Sequence, residues 1–178
     1  MGVYRGVLWL VLFLSCTVGA HAAAPGETWV IVVRHAEKAA DDPHDPSLSD
    51  TGQRRAQALA GTLGNSAVQA IYTTQYRRTQ LTAEPLSKQA GVAVSVRPVT
   101  ADNAAGYTAA LVSEIRAKHR GQTVLVVGHS NTVPEIVAAL SGADAAPMQD
   151  SEYDRLTLVA LPVKGKARVV VSRYGPAP

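Results

Sequence analysis

The segment TWVIVVRHAEKA, residues 28 to 39, joins a short apolar run directly to charged groups. Trp29 to Val33 are five consecutive apolar residues rich in β-branched types, a pattern that indicates a buried strand. Arg34 and His35 follow at once. Burying an unpaired charge is costly, so we expect this pair at the solvent end of the strand, facing a ligand.

The rest of the chain alternates strand patterns with helix patterns, in the order β-α-β-α-β-α-β-α-β-β. Strands are predicted at residues 29–33, 68–73, 92–99, 123–127, 156–161 and 167–172, and helices at 49–63, 75–89 and 104–119, with a short one through Pro134 to Leu140. This alternation predicts an α/β fold. We expect a three-layer sandwich, with a mostly parallel central sheet of about six strands and helices on both faces. The closing β-β pair can add an antiparallel edge.

Cationic and imidazole groups follow three of the first four predicted strands. Arg34 and His35 end the first strand, Arg77 and Arg78 come shortly after the second, and His129 follows the fourth. In open sheets of this kind, ligands bind beyond the carboxyl ends of the strands. Arginine suits phosphate oxygens, and helix N-termini add amide donors, so the sequence predicts a pocket for a phosphate-like dianion.

Four segments resemble the histidine phosphatase superfamily, the phosphoglycerate-mutase-like phosphatases: VVRHAEK, LSDTGQRRAQ, YTTQYRRTQLTAEPL and VVGHSNT. The resemblance implies that His35 is the nucleophile and that His129 is the second catalytic histidine. It implies that Arg34 and Arg78, rather than Arg77, bind the substrate phosphate. The implied mechanism passes through a phosphohistidine and uses no metal and no cofactor.

These motifs do not identify the proton donor. Ser130 stands where one branch of the family has an aspartate directly after the second histidine. The other branch places its acid after the third strand, where this sequence offers Asp102. We therefore predict Asp102 as the catalytic acid, although an aspartate there can also cap the next helix. The alternatives are that Glu37 is the acid or that the site has no dedicated acid.

The N-terminus has the layout of a secretory signal: MGVYR, an apolar run, then AHAAA. We predict a signal peptide at residues 1–22, cleaved after about Ala22, and one histidine-phosphatase-like domain at 23–178. The apolar run Val7–Ala20 has 14 residues, against about 20 needed to cross a bilayer. We therefore expect a secreted or periplasmic protein with no stable membrane insertion after signal removal. A lipoprotein modified at Cys16 is less favoured.

Composition limits the function further. The net charge of +3 includes Arg5 of the predicted signal, so the mature chain is too weakly basic to indicate nucleic acid binding. Cys16 is the only cysteine, so a processed chain would have no thiol for disulfides or nucleophilic catalysis.

The sequence thus predicts a metal-independent phosphatase acting on an exported phosphorylated small molecule or phosphoprotein. A non-catalytic phosphate-ligand binding protein on the same scaffold is the main alternative. A serine hydrolase built on Ser130 is disfavoured because no histidine follows that serine, as the hydrolase order requires. A metal-dependent phosphoesterase would need the loop DDPHDP as a ligand set, but aspartate and proline are ordinary turn residues.

Overall fold

The computed structural model describes residues 26–176, so the predicted signal peptide lies outside the described residues. One six-stranded sheet has the order β3-β2-β4-β1-β5-β6. Its strands are β1 (Thr28–Arg34), β2 (Val68–Thr73), β3 (Val94–Val96), β4 (Thr123–Gly128), β5 (Arg155–Leu161) and β6 (Arg168–Arg173). The helices are α1 (Asp50–Leu63), α2 (Arg77–Ala90), α3 (Ala104–Lys118) and α4 (Thr132–Ser141).

The predicted α/β architecture is confirmed. β3, β2, β4 and β1 run parallel. β5 pairs antiparallel with β1, and β6 pairs antiparallel with β5, so β5 is the one strand of this sheet that runs opposite to the other five. β1 lies in the middle of the sheet, with Trp29 level with Thr123 of β4 and Arg34 level with Gly128. The two strands therefore end together, and the residues that follow them emerge side by side.

Side chains of β1 alternate between two cores, one on each face of the sheet. Val30 and Val32 pack in the core that α3 and α4 cover. Ile31 and Val33 pack in the core that α1 and α2 cover. Because both faces are buried, the strand reads as a continuous apolar run rather than as an alternating one. Among residues 26–176, no helix is both long and apolar enough to cross a membrane.

The third strand is shorter than predicted, spanning Val94–Val96 rather than 92–99. The amide of Val92 is taken by a carbonyl of the last turn of α2. The amide and carbonyl of Val99 pair instead with the side chain of Gln75, at 2.9 and 2.8 Å. Both ends of the predicted strand thus bond to partners outside the sheet. Gln75 lies before α2, which begins at Arg77 rather than at residue 75 as predicted.

The start of α1 packs closely on the loop that follows β1. The Ser49 hydroxyl caps the helix, accepting from the Gly52 amide at 3.1 Å. A Cβ at Gly52 would clash with the backbone carbonyl of Glu37. Glycine is therefore required here, because it lets the loop after β1 approach the helix closely.

Arg55 of α1 is fully buried and joins three parts of the chain. Its Nε and Nη2 donate to the Glu37 carboxylate at 2.6 to 3.0 Å. Its Nη1 donates to the backbone carbonyls of Tyr174 at 3.0 Å and Pro176 at 2.9 Å. Burial alone would raise the pKa of Glu37, but the hydrogen bonds from Arg55 outweigh it and hold that pKa below its usual value.

Replacing Arg55 by methionine should destabilise the fold by about 3 kcal/mol, because it leaves the Glu37 carboxylate without its partner. Urea denaturation followed by circular dichroism measures the change. Arg54→Met is the matched control, since Arg54 is exposed and, among residues 26–176, its side chain donates only to Thr51. Equal losses in the two variants would contradict a structural role for the buried ion pair.

Candidate active site

The parallel register of β1 and β4 brings His35 and His129 together. The His35 amide donates to the Gly128 carbonyl at 2.9 Å, which extends the strand pairing by one residue. The two imidazole centroids are 5.3 Å apart with the rings at 64°. The two predicted histidines therefore share one site at the carboxyl edge of the sheet.

His35 is held as a neutral imidazole. Its Nδ1 lies 2.8 Å from the Ala36 carbonyl oxygen, which can only accept, so Nδ1 carries the proton and Nε2 keeps its lone pair. The ring is 4% exposed. Burial lowers its pKa to about 3; the Ala36 carbonyl opposes this, while nearby His129, Arg78 and Arg34 add to it.

His129 is supported from the loop after β2. Its Nε2 lies 3.0 Å from the hydroxyl of Thr74, which in turn is 3.0 Å from the hydroxyl of Thr79. Burial lowers the pKa of His129 to about 4, with further lowering from the charges of Arg78 and Arg34. Both imidazoles are therefore neutral at neutral pH, and each has a hydrogen-bond partner that orients its ring.

Arg34 is 6% exposed and is held by backbone oxygens rather than by a carboxylate. Its Nη1 donates to the carbonyls of Gln149 at 3.1 Å, Asp150 at 2.9 Å and Glu152 at 3.3 Å. Its guanidinium lies over the Tyr153 ring, 4.1 Å from the centroid. Within residues 26–176 its buried Nε has no hydrogen-bond partner. The guanidinium thus keeps its full charge and an unused donor.

Arg78 has a matching environment on the other side of the site. Its guanidinium lies 4.2 Å from the Tyr76 ring centroid, and its buried Nε also lacks a partner among the described residues. Its Nη1 is 3.7 Å from an Asp45 carboxylate oxygen. By contrast, the Arg77 side chain is 53% exposed, against 15% for Arg78, and it lies near Asp41.

These groups line a cavity of about 450 Å³. The four residues predicted to act on phosphate, Arg34, His35, Arg78 and His129, all line it. The cavity is also lined by Lys38, Tyr76, Ser130, Asn131 and Asp150, among others. Two arginines and a lysine around two neutral imidazoles make an environment suited to a compact dianion.

The structure does not place Asp102 in this cavity. Asp102 is exposed and lines a separate cleft with Arg97, Tyr107 and Glu114. The turn folds back on itself, because Asn103 accepts from the Thr100 amide and donates to the Pro98 carbonyl. The cap of α3 is also Asn103, so Asp102 does not take the capping position either.

The alternative acid, Glu37, is bound to Arg55 and does not line the cavity. Its lowered pKa means that it stays ionised, so it has no proton to give at neutral pH. The two carboxylates considered from the sequence are therefore both away from the histidines.

Sequence reasoning missed several residues that surround the site. Tyr76 stacks on Arg78, and its ring centroid lies 5.4 Å from that of His129. Tyr153 stacks on Arg34, and its ring centroid lies 6.1 Å from that of His35. Tyr76 directly precedes the arginine pair, which is a signal that could have been used. Tyr153 and Asp150 lie in the irregular segment between α4 and β5, where no periodic pattern indicates what the chain contacts.

The acidic loop after β1 uses its carboxylates to close turns. Asp42 accepts from the amides of His44 and Asp45, and Asp41 accepts from the amide and hydroxyl of Ser47. In the part of the chain that the structure describes, no group of three or more His, Cys, Asp or Glu side chains could hold a metal ion.

Residues 30–107 match the family model of the histidine phosphatase superfamily, branch 1. This segment of the chain is therefore similar to the histidine phosphatase superfamily. The resemblance predicted from the four motifs is thereby confirmed. The matched segment contains Arg34, His35 and Arg78, whereas His129 lies beyond it and is brought to the site by β4.

Solved structures share the fold of this domain at low sequence identity. The protein histidine phosphatase SixA, solved with tungstate, is 19% identical over 82% of this chain and 96% of its own, with a TM-score of 0.66. A protein titled mycobacterial hydrolase 2 is 17% identical over 86% and 94%, also with a TM-score of 0.66. Mycobacterial glucosyl-3-phosphoglycerate phosphatase is 17% identical over 85% and 100%, with a TM-score of 0.61. No curated protein sequence matches the chain.

Both site histidines should remain neutral at pH 5.5, below the ordinary imidazole pKa of 6.5. Long-range ¹⁵N NMR of the purified protein reports the protonation of each ring nitrogen. Because a bound dianion favours the charged form, added inorganic phosphate should raise both pKa values. Imidazolium signals from His35 or His129 at pH 5.5 in the free protein would contradict the described environment.

Proposed function

We propose that this chain is a phosphatase that works through a phosphohistidine on His35 and needs no metal. The observation that supports this best is the neutral His35 ring, whose Nδ1 is fixed by the Ala36 carbonyl at 2.8 Å. Its Nε2 lone pair is therefore free to attack phosphorus. Arg34 and Arg78 stand beside it with buried Nε donors that have no partner within residues 26–176.

In the first step, Nε2 of His35 attacks phosphorus in line with the leaving oxygen, and the P–O ester bond breaks. Arg34 and Arg78 stabilise the charge on the equatorial oxygens. The Thr74 hydroxyl can donate to Nε2 of His129, which leaves a proton on Nδ1 for a phosphoryl oxygen. In the second step, water attacks the phosphohistidine and the P–N bond breaks. A covalent intermediate divides one difficult displacement into two easier ones.

The arginines supply the positive charge that a metal ion supplies in other phosphatases. Preorganised donors aimed at a developing charge act strongly in a site from which water is largely excluded. We therefore propose that activity requires no metal and no other cofactor.

The substrate we propose is an extracytoplasmic phosphorylated small molecule or phosphoprotein. The signal layout of the first 22 residues supports export, with a mature chain that begins near Ala23, is secreted or periplasmic and has no stable membrane insertion. The open cavity supports a phosphoryl group carried on a bulky partner. The weak net charge gives no support to nucleic acid as a substrate.

A second candidate function is binding of a phosphorylated ligand without turnover. It is favoured by one observation, namely that neither Asp102 nor Glu37 lies in the cavity with the histidines. Retention of the full set of two histidines and two arginines favours catalysis instead.

Brief reaction with a ³²P-labelled phosphoester, followed by an alkaline quench, should leave the label on His35. Phosphohistidine survives alkali and is lost in acid, which distinguishes it from phosphoserine at Ser130. His35→Ala should abolish labelling and turnover while the circular dichroism spectrum stays unchanged, and EDTA should have no effect. Phosphate binding without any label would favour the non-catalytic alternative, and full turnover by a folded His35→Ala protein would sink the mechanism.

Arg78→Ala should lower kcat/KM on the order of a hundredfold, since it removes a charged donor aimed at the phosphoryl group. Arg77→Ala is the matched control, being the adjacent arginine with an exposed side chain near Asp41. Steady-state phosphate release by the two variants makes the comparison. Equal losses, or the reverse order, would show that the phosphate-binding role is assigned to the wrong arginine.

A further inference from the structure

Most carboxylates near the site are bound to arginine or to backbone amides. Glu37 pairs with Arg55, and Asp45 accepts from the Arg77 amide at 2.9 Å and approaches Arg78. Further along the chain, Glu152 and Asp154 are bound by Arg155 and Arg173. A carboxylate held in this way cannot readily swing toward a substrate, so none of these four suits proton transfer to a leaving group.

Asp150 differs from them in both position and bonding. It lines the same cavity as His35 and His129. Its backbone carbonyl accepts from Nη1 of Arg34 at 2.9 Å, which fixes the residue beside the phosphate-binding arginine. Its side chain is exposed and makes no hydrogen bond or ion pair with any residue in 26–176.

The turn that carries Asp150 is braced on both sides. The Glu152 amide donates to the Gln149 carbonyl at 3.0 Å, and the Gln149 amide donates to the Glu152 carboxylate at 3.3 Å. Arg155 donates to that carboxylate at 2.6 and 2.8 Å, and also to the carbonyls of Ala146 and Pro147. A free carboxylate on a rigid turn is a suitable arrangement for a group that must meet a leaving atom.

We propose that Asp150 is the proton donor to the leaving group, an inference that rests on the phosphatase function proposed above. As Nε2 of His35 bonds to phosphorus and the P–O ester bond breaks, the Asp150 carboxylic acid gives its proton to the departing oxygen, which leaves as the alcohol. The resulting carboxylate then takes a proton from the water that attacks the phosphohistidine. The P–N bond electrons return to Nε2, and hydrogen phosphate is released with the acid restored.

Asparagine is a clean replacement for testing this role. The structural contribution of residue 150 is its backbone carbonyl bond to Arg34, and Asp150→Asn keeps that carbonyl and the size of the side chain. Asp102→Asn is the matched control, because Asp102 is an exposed aspartate in a separate cleft.

The experiment compares an alkyl phosphate, whose leaving group needs a proton, with p-nitrophenyl phosphate, whose leaving group does not. Asp150→Asn should lower kcat on the alkyl substrate about a hundredfold or more, in the range that general acids contribute. The rate at which p-nitrophenyl phosphate labels the histidine should stay close to that of the unmodified protein, because this step needs no proton donor. Asp102→Asn should leave both substrates unchanged.

Three outcomes would overturn the proposal. If only Asp102→Asn lowered kcat on the alkyl substrate, the proton donor would lie in the loop after β3. If Asp150→Asn had equal small effects on both substrates in a protein that forms phosphohistidine normally, Asp150 would not be the proton donor. The proposed phosphatase function would still hold. No turnover and no labelling in the unmodified protein with either substrate would remove both proposals together.

Discussion

The register between β1 and β4 is the constraint on which the site depends. Arg34 is level with Gly128, and the His35 amide continues the ladder to the Gly128 carbonyl. A slip of one residue would turn every side chain of β1 to the opposite face of the sheet. The apolar alternation of Val30 to Val33 between two separately covered cores prevents that slip. Core packing thus determines where the two imidazoles meet.

Concentrating positive charge at one sheet edge costs free energy, and the surroundings of each arginine reduce that cost. Arg34 is held by three backbone carbonyls and Arg78 by a partly exposed aspartate, and each guanidinium rests on a tyrosine ring. Carbonyl dipoles and ring faces stabilise a cation without neutralising it. Burial lowers the pKa of both histidines, and the remaining positive potential lowers it further. The charges of Arg34 and Arg78 therefore add to the effect of burial in keeping His35 unprotonated.

The sequence predicted those parts of the molecule that follow from topology. His35, Arg78 and His129 come after apolar runs, and parallel strands bring their carboxyl ends to one edge, so their proximity could be predicted without coordinates. The identity of the proton donor does not follow from topology in this way. Its place after the third strand favours Asp102, but the side-chain hydrogen bonds of Asn103 fold that loop, and Asp102 lines a separate cleft. Side-chain bonds between loops leave no periodic signal in a sequence.

The segment between α4 and β5 contributes both to the fold and to the lining of the cavity. Its backbone carbonyls hold Arg34, a task that any residue type can perform. The Glu152 carboxylate braces the turn, and Asp150 is among the residues that line the cavity. Glu152 braces and Asp150 stays free. Because the arginine is held by main-chain atoms, the side chain at position 150 can serve the reaction without carrying the fold. A proton donor on this segment would therefore meet the leaving group from the side of Arg34.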